Sequence, residues 1–179
     1  MNSIEELFAL SVGKKINVLL NQGNKGDGLI HMGGRALLEK YGIEYTEIRF
    51  PQDVTGETLF IYGCGAFSAP YHHMVEQVIF YASRFKKVYI LPSSFDLSSR
   101  EVRQFIANLP ENVIIFCREY FSYNDILNIV PPALKKNIFI DKDMAFYYDY
   151  SKWKKKGNGT LLAFRGDAES LSASENLVN

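Results

Sequence analysis

In Ile16-Asn17-Val18-Leu19-Leu20-Asn21-Gln22-Gly23-Asn24-Lys25-Gly26-Asp27-Gly28-Leu29-Ile30, a short apolar run gives way to a polar glycine loop and then to a helix-like segment. Strand, tight loop and helix in that order form a place to bind an anion or a sugar. Glycines permit backbone conformations that other residues resist. The unpaired N–H groups of the following helix point at whatever enters the loop. Asn24 adds an amide and Asp27 a carboxylate. A plain phosphate cradle has no obvious need of that carboxylate. It suggests hydroxyl recognition, loop bracing or base chemistry in addition to anion capture.

Outward from this unit the same alternation repeats. Residues 3–12 read as a short amphipathic helix with Ser3 and Glu6 as a capping box. The first strand is predicted over 15–20, and the helix after the loop over 28–41, closed by Tyr41-Gly42. Further strands are expected at 44–49, 58–62, 88–91 (stopped by Pro92), 113–117 and 137–140. Helices are expected at 70–85, 98–108 and 123–129, the last ended by Pro131-Pro132. Gly157-Asn158-Gly159 reads as a turn before a last strand at 160–165. Short apolar strands between helices predict an α/β, Rossmann-like parallel sheet with helices on both faces. No internal repeat or low-complexity segment interrupts it.

In such sheets ligands bind beyond the carboxyl ends of the strands. The loops predicted there are 21–28, 63–68, 92–96, Arg118-Glu119 and 141–143. They converge on one edge although they are scattered in sequence. Each residue also has a structural reading. Asp27 can cap the helix, and Asn24 can sit in a turn. Gly63 and Gly65 can serve a tight turn or admit a ligand to the backbone. Ser93 and Ser94 can be turn residues or can bind phosphate or sugar oxygens. Arg118 can grip a carboxylate or phosphate, or brace the fold through an ion pair.

Composition narrows the function classes. The 20 Lys and Arg balance the 20 Asp and Glu, so charge gives no reason to expect nucleic acid. Hydrophobic residues make up 47% of the 179, enough for one substantial core. Eleven Tyr and 13 Phe suit sugar-stacking surfaces as well as a core. Cys64 and Cys117 form no disulfide framework and have no zinc-ligand spacing, which points to a reducing cytoplasm. The acidic, polar start is no signal peptide, and no apolar run reaches the ~20 residues that span a bilayer. Of the three histidines, His31 lies one turn into the helix after the loop. His72 and His73 are adjacent and diverge on a helix, so a shared metal is not expected. Lys152-Trp153-Lys154-Lys155-Lys156 is either a solvated segment or a peripheral contact with the inner face of the membrane.

Gly23-Asn24-Lys25-Gly26-Asp27, followed by Leu29-Ile30 and a helix, resembles the GN-x-GD signature of the polysaccharide pyruvyl transferase family. Gly63-Cys64-Gly65-Ala66-Phe67, Leu91-Pro92-Ser93-Ser94-Phe95, Cys117-Arg118-Glu119 with Ser122-Tyr123, and Asp141-Lys142-Asp143-Met144-Ala145-Phe146 fit that family in the same order. The resemblance runs from Val18 to Phe164 and covers the first half of a typical member. It implies one half of a two-domain, GT-B-type transferase. Residues 1–165 would form the Rossmann-like domain, and the polar tail 166–179 a linker toward a second domain.

Members of the family take phosphoenolpyruvate as donor, with no further cofactor. They place its pyruvyl group as a ketal on a sugar of a cell-surface polysaccharide or its lipid-linked precursor. Such chemistry needs an acid, a base and cations. Carried onto this sequence, Asp27 and Glu119 become the acid–base candidates, with the general acid not assigned between them. Asn24, Gly26, Gly28, Gly65, Ala66, Phe67, Ser93, Ser94, Phe95, Arg118 and Asp143 become candidate substrate contacts. Arg and His residues of the family's second half, which look central to phosphoenolpyruvate binding, have no counterpart here. Two alternatives stay open: a nucleotide-sugar-dependent glycosyltransferase of related fold, and a non-catalytic saccharide-binding or assembly partner, including a homo-oligomer.

Overall fold

Six strands, β1 (Ile16–Leu19), β2 (Tyr45–Ile48), β3 (Gly56–Ile61), β4 (Phe85–Ser93), β5 (Val113–Cys117) and β6 (Ile138–Ile140), form one all-parallel sheet in the order β2-β1-β3-β4-β5-β6. The structure is a computed structural model that describes residues 2–21, 23–71 and 73–159. The chain divides into two compact units, residues 1–149 and 150–179. The sheet and all five α-helices among the described residues belong to the first. In the second, the described residues hold one 3-10 turn, Ser151–Trp153, with Lys152 over the Trp153 ring. The strand expected at 160–165 and the tail 166–179 lie outside the described residues.

Period-two alternation places the strand side chains on two faces. From β3 and the residue after it, Phe60 and Tyr62 join Ile16, Val18, Ile114 and Phe116 on one face, under α1 (Ile4–Ala9) and α2 (Lys25–Lys40). Leu59 and Ile61 join Leu19, Val113, Ile115 and Cys117 on the other, under α3 (His73–Ala82), α4 (Arg100–Ala107) and α5 (Tyr120–Ile129). The first face is tied together by aromatic contacts: Phe60 lies 5.2 Å from Phe8 and 5.6 Å from Tyr89 between ring centroids. Phe60 is wholly buried. Its truncation to Ala would cost about 3–5 kcal/mol.

The strand order reverses direction between β1 and β3. β1 connects through α2 to β2 on one side, and all later strands add on the other. The crevice at such a switch point is where open α/β sheets take ligands.

Several boundaries differ from expectation. The helix after the glycine loop begins at Lys25 rather than 28, because Asn24 and Asp27 cap it. Residues 70–85 form a 3-10 turn, Ala69–Tyr71, and then α3, which ends at Ala82. Phe85 already pairs with Gly56 in the sheet. The first helix stops at Ala9, short of 12, and the chain turns through Gly13 at φ +78°. Pro92 does not stop β4. The ladder to β5 shifts register between Ile90 and Ser93, so the missing proline N–H falls where pairing is interrupted.

Candidate functional site

The glycine loop is largely the first turn of α2. The Asn24 side chain accepts the Gly26 N–H at 2.7 Å, and Asp27 Oδ2 accepts the Asn24 N–H at 2.8 Å. This is the reciprocal capping arrangement that satisfies two exposed donors of a helix start. Among the described residues only Gly13 and Gly42 have positive φ. The glycines of the loop are therefore not there for left-handed backbone. Gly23 serves close approach instead: a Cβ there would lie 1.9 Å from Asp27 Oδ2. Gly28 has open space around it. The start of α2 is thus met by its own side chains, through Asn24 and Asp27.

Beside this cap, beyond the carboxyl ends of β1 and β2, lies a pocket of about 290 Å³. Asn24, Asp27 and Gly28 line it together with Asn21, His31, Arg35 and Arg49. Arg35 forks onto Glu47, with Nε–Oε1 at 2.6 Å and Nη2–Oε2 at 2.9 Å. Arg49, at the end of β2, is exposed, and its guanidinium makes no ion pair among the described residues. The His31 ring lies 4.8 Å from the Tyr62 ring. Burial, and secondly the Arg35 charge, hold the His31 pKa below its ordinary value of 6.5. Asn21 is 8% exposed, and its amide N–H donates to the Tyr62 carbonyl at 2.6 Å. That bond fixes the amide. Asn21 Oδ1, His31 Nε2 and the Tyr62 hydroxyl are buried without a hydrogen-bond partner among the described residues.

A second polar group stands beyond β4, β5 and β6. Arg118 Nε donates to Ser94 Oγ at 2.7 Å, and Nη1 meets Asp143 Oδ2 at 2.8 Å. Asp143 Oδ1 meanwhile accepts the Ala145 N–H at 2.8 Å and caps the 3-10 turn Met144–Tyr147. A Cβ on Gly65 would lie 3.3 Å from Arg118 Nη2, so Gly65 leaves that face of the guanidinium uncrowded. Ala66 is half-buried beside it. The ion pair is partly exposed, at 28% for Arg118 and 17% for Asp143.

Four candidates fall away from this group. Ser93 is wholly buried, accepting the Cys64 N–H at 3.3 Å and donating to the Leu91 carbonyl at 2.8 Å. Phe67 and Phe95 are core rings stacked at 4.5 Å, where no sugar can reach them. Glu119 caps α5: both of its oxygens accept the Ser122 N–H, and one also takes the Ser122 hydroxyl. A carboxylate so engaged is a helix cap, not an open acid or base. Cys117 lies under this edge, and burial raises its thiol pKa well above the ordinary range.

The structure adds residues that the sequence did not single out. Arg49 follows a strand end, as Arg118 does, and the same edge argument would have found it. Three exposed rings follow these residues closely in sequence: Tyr120 and Phe121, two and three after Arg118, and Phe146, three after Asp143. His73 is exposed and lies outside both groups, whereas His72 lies outside the described residues. Among the described residues no group of three or more His, Cys, Asp or Glu is arranged to hold a metal ion, and no helix is long and apolar enough to cross a membrane.

A functionally uncharacterised protein from Klebsiella pneumoniae has a similar crystal structure, with a TM-score of 0.69 and 28% sequence identity. The match covers 92% of this chain and 63% of that one, so this chain spans less than two thirds of its structural relative. No curated protein matches the chain. The family model for polysaccharide pyruvyl transferase matches residues 24–169, from the cap of α2 through the segment that holds Arg118 and Asp143. By that match the chain belongs to the polysaccharide pyruvyl transferase family.

Proposed function

We propose that this chain is the N-terminal domain of a pyruvyl transferase that moves the pyruvyl group of phosphoenolpyruvate onto two hydroxyls of a saccharide. The observation that carries this reading is the family match over residues 24–169, whose polar groups stand on the carboxyl edge of the sheet. In the reaction, the enol carbon gains a proton and becomes a methyl group. One sugar hydroxyl adds to the neighbouring carbon, and a second displaces phosphate from it. Two C–O bonds form to the sugar, one C–O bond to phosphate breaks, and the hydroxyl protons end on the methyl carbon and on phosphate.

Asp27 is the residue best placed to receive a hydroxyl proton. Oδ2 is held by the Asn24 N–H, which orients the carboxylate, while the residue lines the pocket. Arg118, steadied by Ser94 and Asp143, supplies a positively charged face for a phosphate or carboxylate. Tyr120, Phe121 and Phe146 offer exposed rings for the apolar faces of sugars. The donor-binding cations of the second half of the family would complete the site.

The test uses phosphoenolpyruvate labelled with carbon-13 at its central carbon, a lipid-linked oligosaccharide acceptor and the full-length transferase. A new quaternary ketal carbon signal, with equimolar phosphate release, is expected. Phosphate release without a ketal, or transfer from a nucleotide sugar instead, overturns the proposal.

A further inference from the structure

The pocket beside the α2 cap contains more than helix capping requires. Asp27 accounts for one oxygen in the cap, and Oδ1 makes no hydrogen bond among the described residues. Asn21 Oδ1 is an acceptor whose amide cannot turn, because its Nδ2 is committed to the Tyr62 carbonyl. Buried polar atoms are ordinarily paired, and an unpaired one marks a place for water or ligand. Two acceptors with no donor call for hydroxyl groups. His31 also lines the pocket, and its Nε2 is a third buried atom without a partner among the described residues; burial favours the neutral ring, which gives or takes a hydrogen bond without a charge of its own.

The cations differ in kind. Arg35 is neutralised by its fork onto Glu47, while Arg49 is exposed and makes no ion pair among the described residues. A guanidinium in that state suits a carboxylate or a phosphate group. Asp27 lies at the helix start, so a compact free anion is repelled there. An anionic group must therefore sit toward Arg49, with hydroxyls toward Asp27 and Asn21. A volume of about 290 Å³ is of the size that one sugar ring with a substituent would need.

We infer that this pocket binds one acidic monosaccharide unit, its ring hydroxyls on Asn21 and Asp27 and its carboxylate or phosphate on Arg49. The inference rests on the reading of this chain as part of a saccharide-modifying transferase, and it names the acceptor as an acidic sugar. The shared chemistry is a negatively charged group on a sugar ring, which a uronate or a sugar phosphate can supply.

The experiment follows the His31 ring and the backbone amides of residues 21–35 by NMR while the 179-residue chain is titrated separately with glucuronate, glucose 1-phosphate, glucose and phosphoenolpyruvate. Shifts at His31 with glucuronate or glucose 1-phosphate are expected, with glucose roughly tenfold weaker or more. Whichever acid binds more tightly identifies the source of the charge. Arg49→Gln is expected to bring the acid down to the level of glucose, and its amide spectrum shows directly whether the fold is kept. Arg49→Lys, which keeps the charge, is expected to restore part of the preference.

Equal binding of glucose and glucuronate overturns the inference, as does the absence of any shift at His31 with all three sugars. Shifts with phosphoenolpyruvate alone overturn it too and make the pocket a donor site, leaving the pyruvyl transfer proposal intact. That proposal fails separately, through the missing ketal signal in the full-length reaction.

Discussion

The backbone of Gly33 in α2 lies directly against the carbonyl of Met144: a Cβ built on Gly33 would stand 1.8 Å from Met144 O. This contact joins the two halves of the candidate site. α2 carries the cap and the pocket residues Asp27, His31 and Arg35. Met144 opens the 3-10 turn whose cap, Asp143, holds Arg118. A side chain at 33 would push one polar group away from the other.

Gly33→Ala is therefore expected to destabilise the fold, although alanine favours helix by about 1 kcal/mol over glycine. Overpacking against a backbone carbonyl costs about 1–3 kcal/mol, or more where nothing can yield. The obstacle here is main chain, which cannot rotate away. A chemical denaturation midpoint reads the effect. A variant as stable as the parent would show that the 3-10 turn shifts freely on α2.

Arg118 is expected to matter more for function than for stability. Its ion pair with Asp143 is partly exposed, and such pairs contribute only about 0–1 kcal/mol. Asp143→Ala removes the cap of the 3-10 turn as well, so about 1–2 kcal/mol is expected for it. Arg118→Lys keeps a charge but cannot hold Ser94 and Asp143 together in the planar geometry of the guanidinium. Loss of transfer activity in Arg118→Lys with a melting temperature close to the parent is the expected result. Unchanged activity would leave Arg118 as a brace alone.

Much of this architecture was legible in the sequence. Apolar runs such as Val113-Ile114-Ile115-Phe116-Cys117 have one sensible reading, a strand buried on both faces, and that is what β5 is. The carboxyl-edge argument followed from the order of strands and helices; in the structure Arg118, Ser94, Gly65 and Asp143 stand together, while Asn24, Asp27 and Gly28 line the pocket beside the α2 cap. Side-chain direction was not legible. Ser93 and Ser94 are neighbours in a strand end, and alternation sends one inward and one to Arg118. Nothing in the pair of letters says which. Phe67 and Phe95 go inward for the same reason. Glu119 was ambiguous because a carboxylate before a helix is equally a cap and a catalyst. Its partner Ser122, three residues on, was the available signal for the cap. Gly33-Gly34 carries no local signal, because the neighbours that demand glycine, Met144 and Tyr62, are far away in sequence.

His31 gives the fold a pH dependence whose sign follows from burial. Its pKa is lowered in the folded protein, first by desolvation and then by Arg35, with Asp27 and Glu47 opposing. The unfolded chain takes up the proton near 6.5, the folded chain only at lower pH. Between those two values the unfolded state holds more protons, so stability rises with pH there. His31 thus contributes stability that is full above 6.5 and is lost as pH falls toward the folded value. His31→Gln is expected to flatten the stability profile below pH 6.5 relative to the parent, measured by urea unfolding at a series of pH values. Parallel profiles would mean that His31 is solvated enough to titrate normally.

Asp27 is the sharpest case, because its two roles predict different variants. As a cap, it must accept the Asn24 N–H, which either an Asn or an Asp side chain can do. As a base, it must carry a charge and take a proton, which Asn cannot do. Asp27→Ala removes both functions, and about 0.5–2 kcal/mol of stability should go with the cap. Asp27→Asn keeps the acceptor and the volume, so its stability should stay within about 0.5 kcal/mol of the parent. Transfer by the full-length enzyme should nevertheless fall by roughly 10²–10⁴-fold, the usual weight of a general base. Thermal melts and initial rates on the same preparations separate the two effects. A full-rate Asp27→Asn would make Asp27 a cap only. The proton acceptor for the sugar hydroxyl would then have to come from elsewhere on the carboxyl edge or from the second domain proposed above.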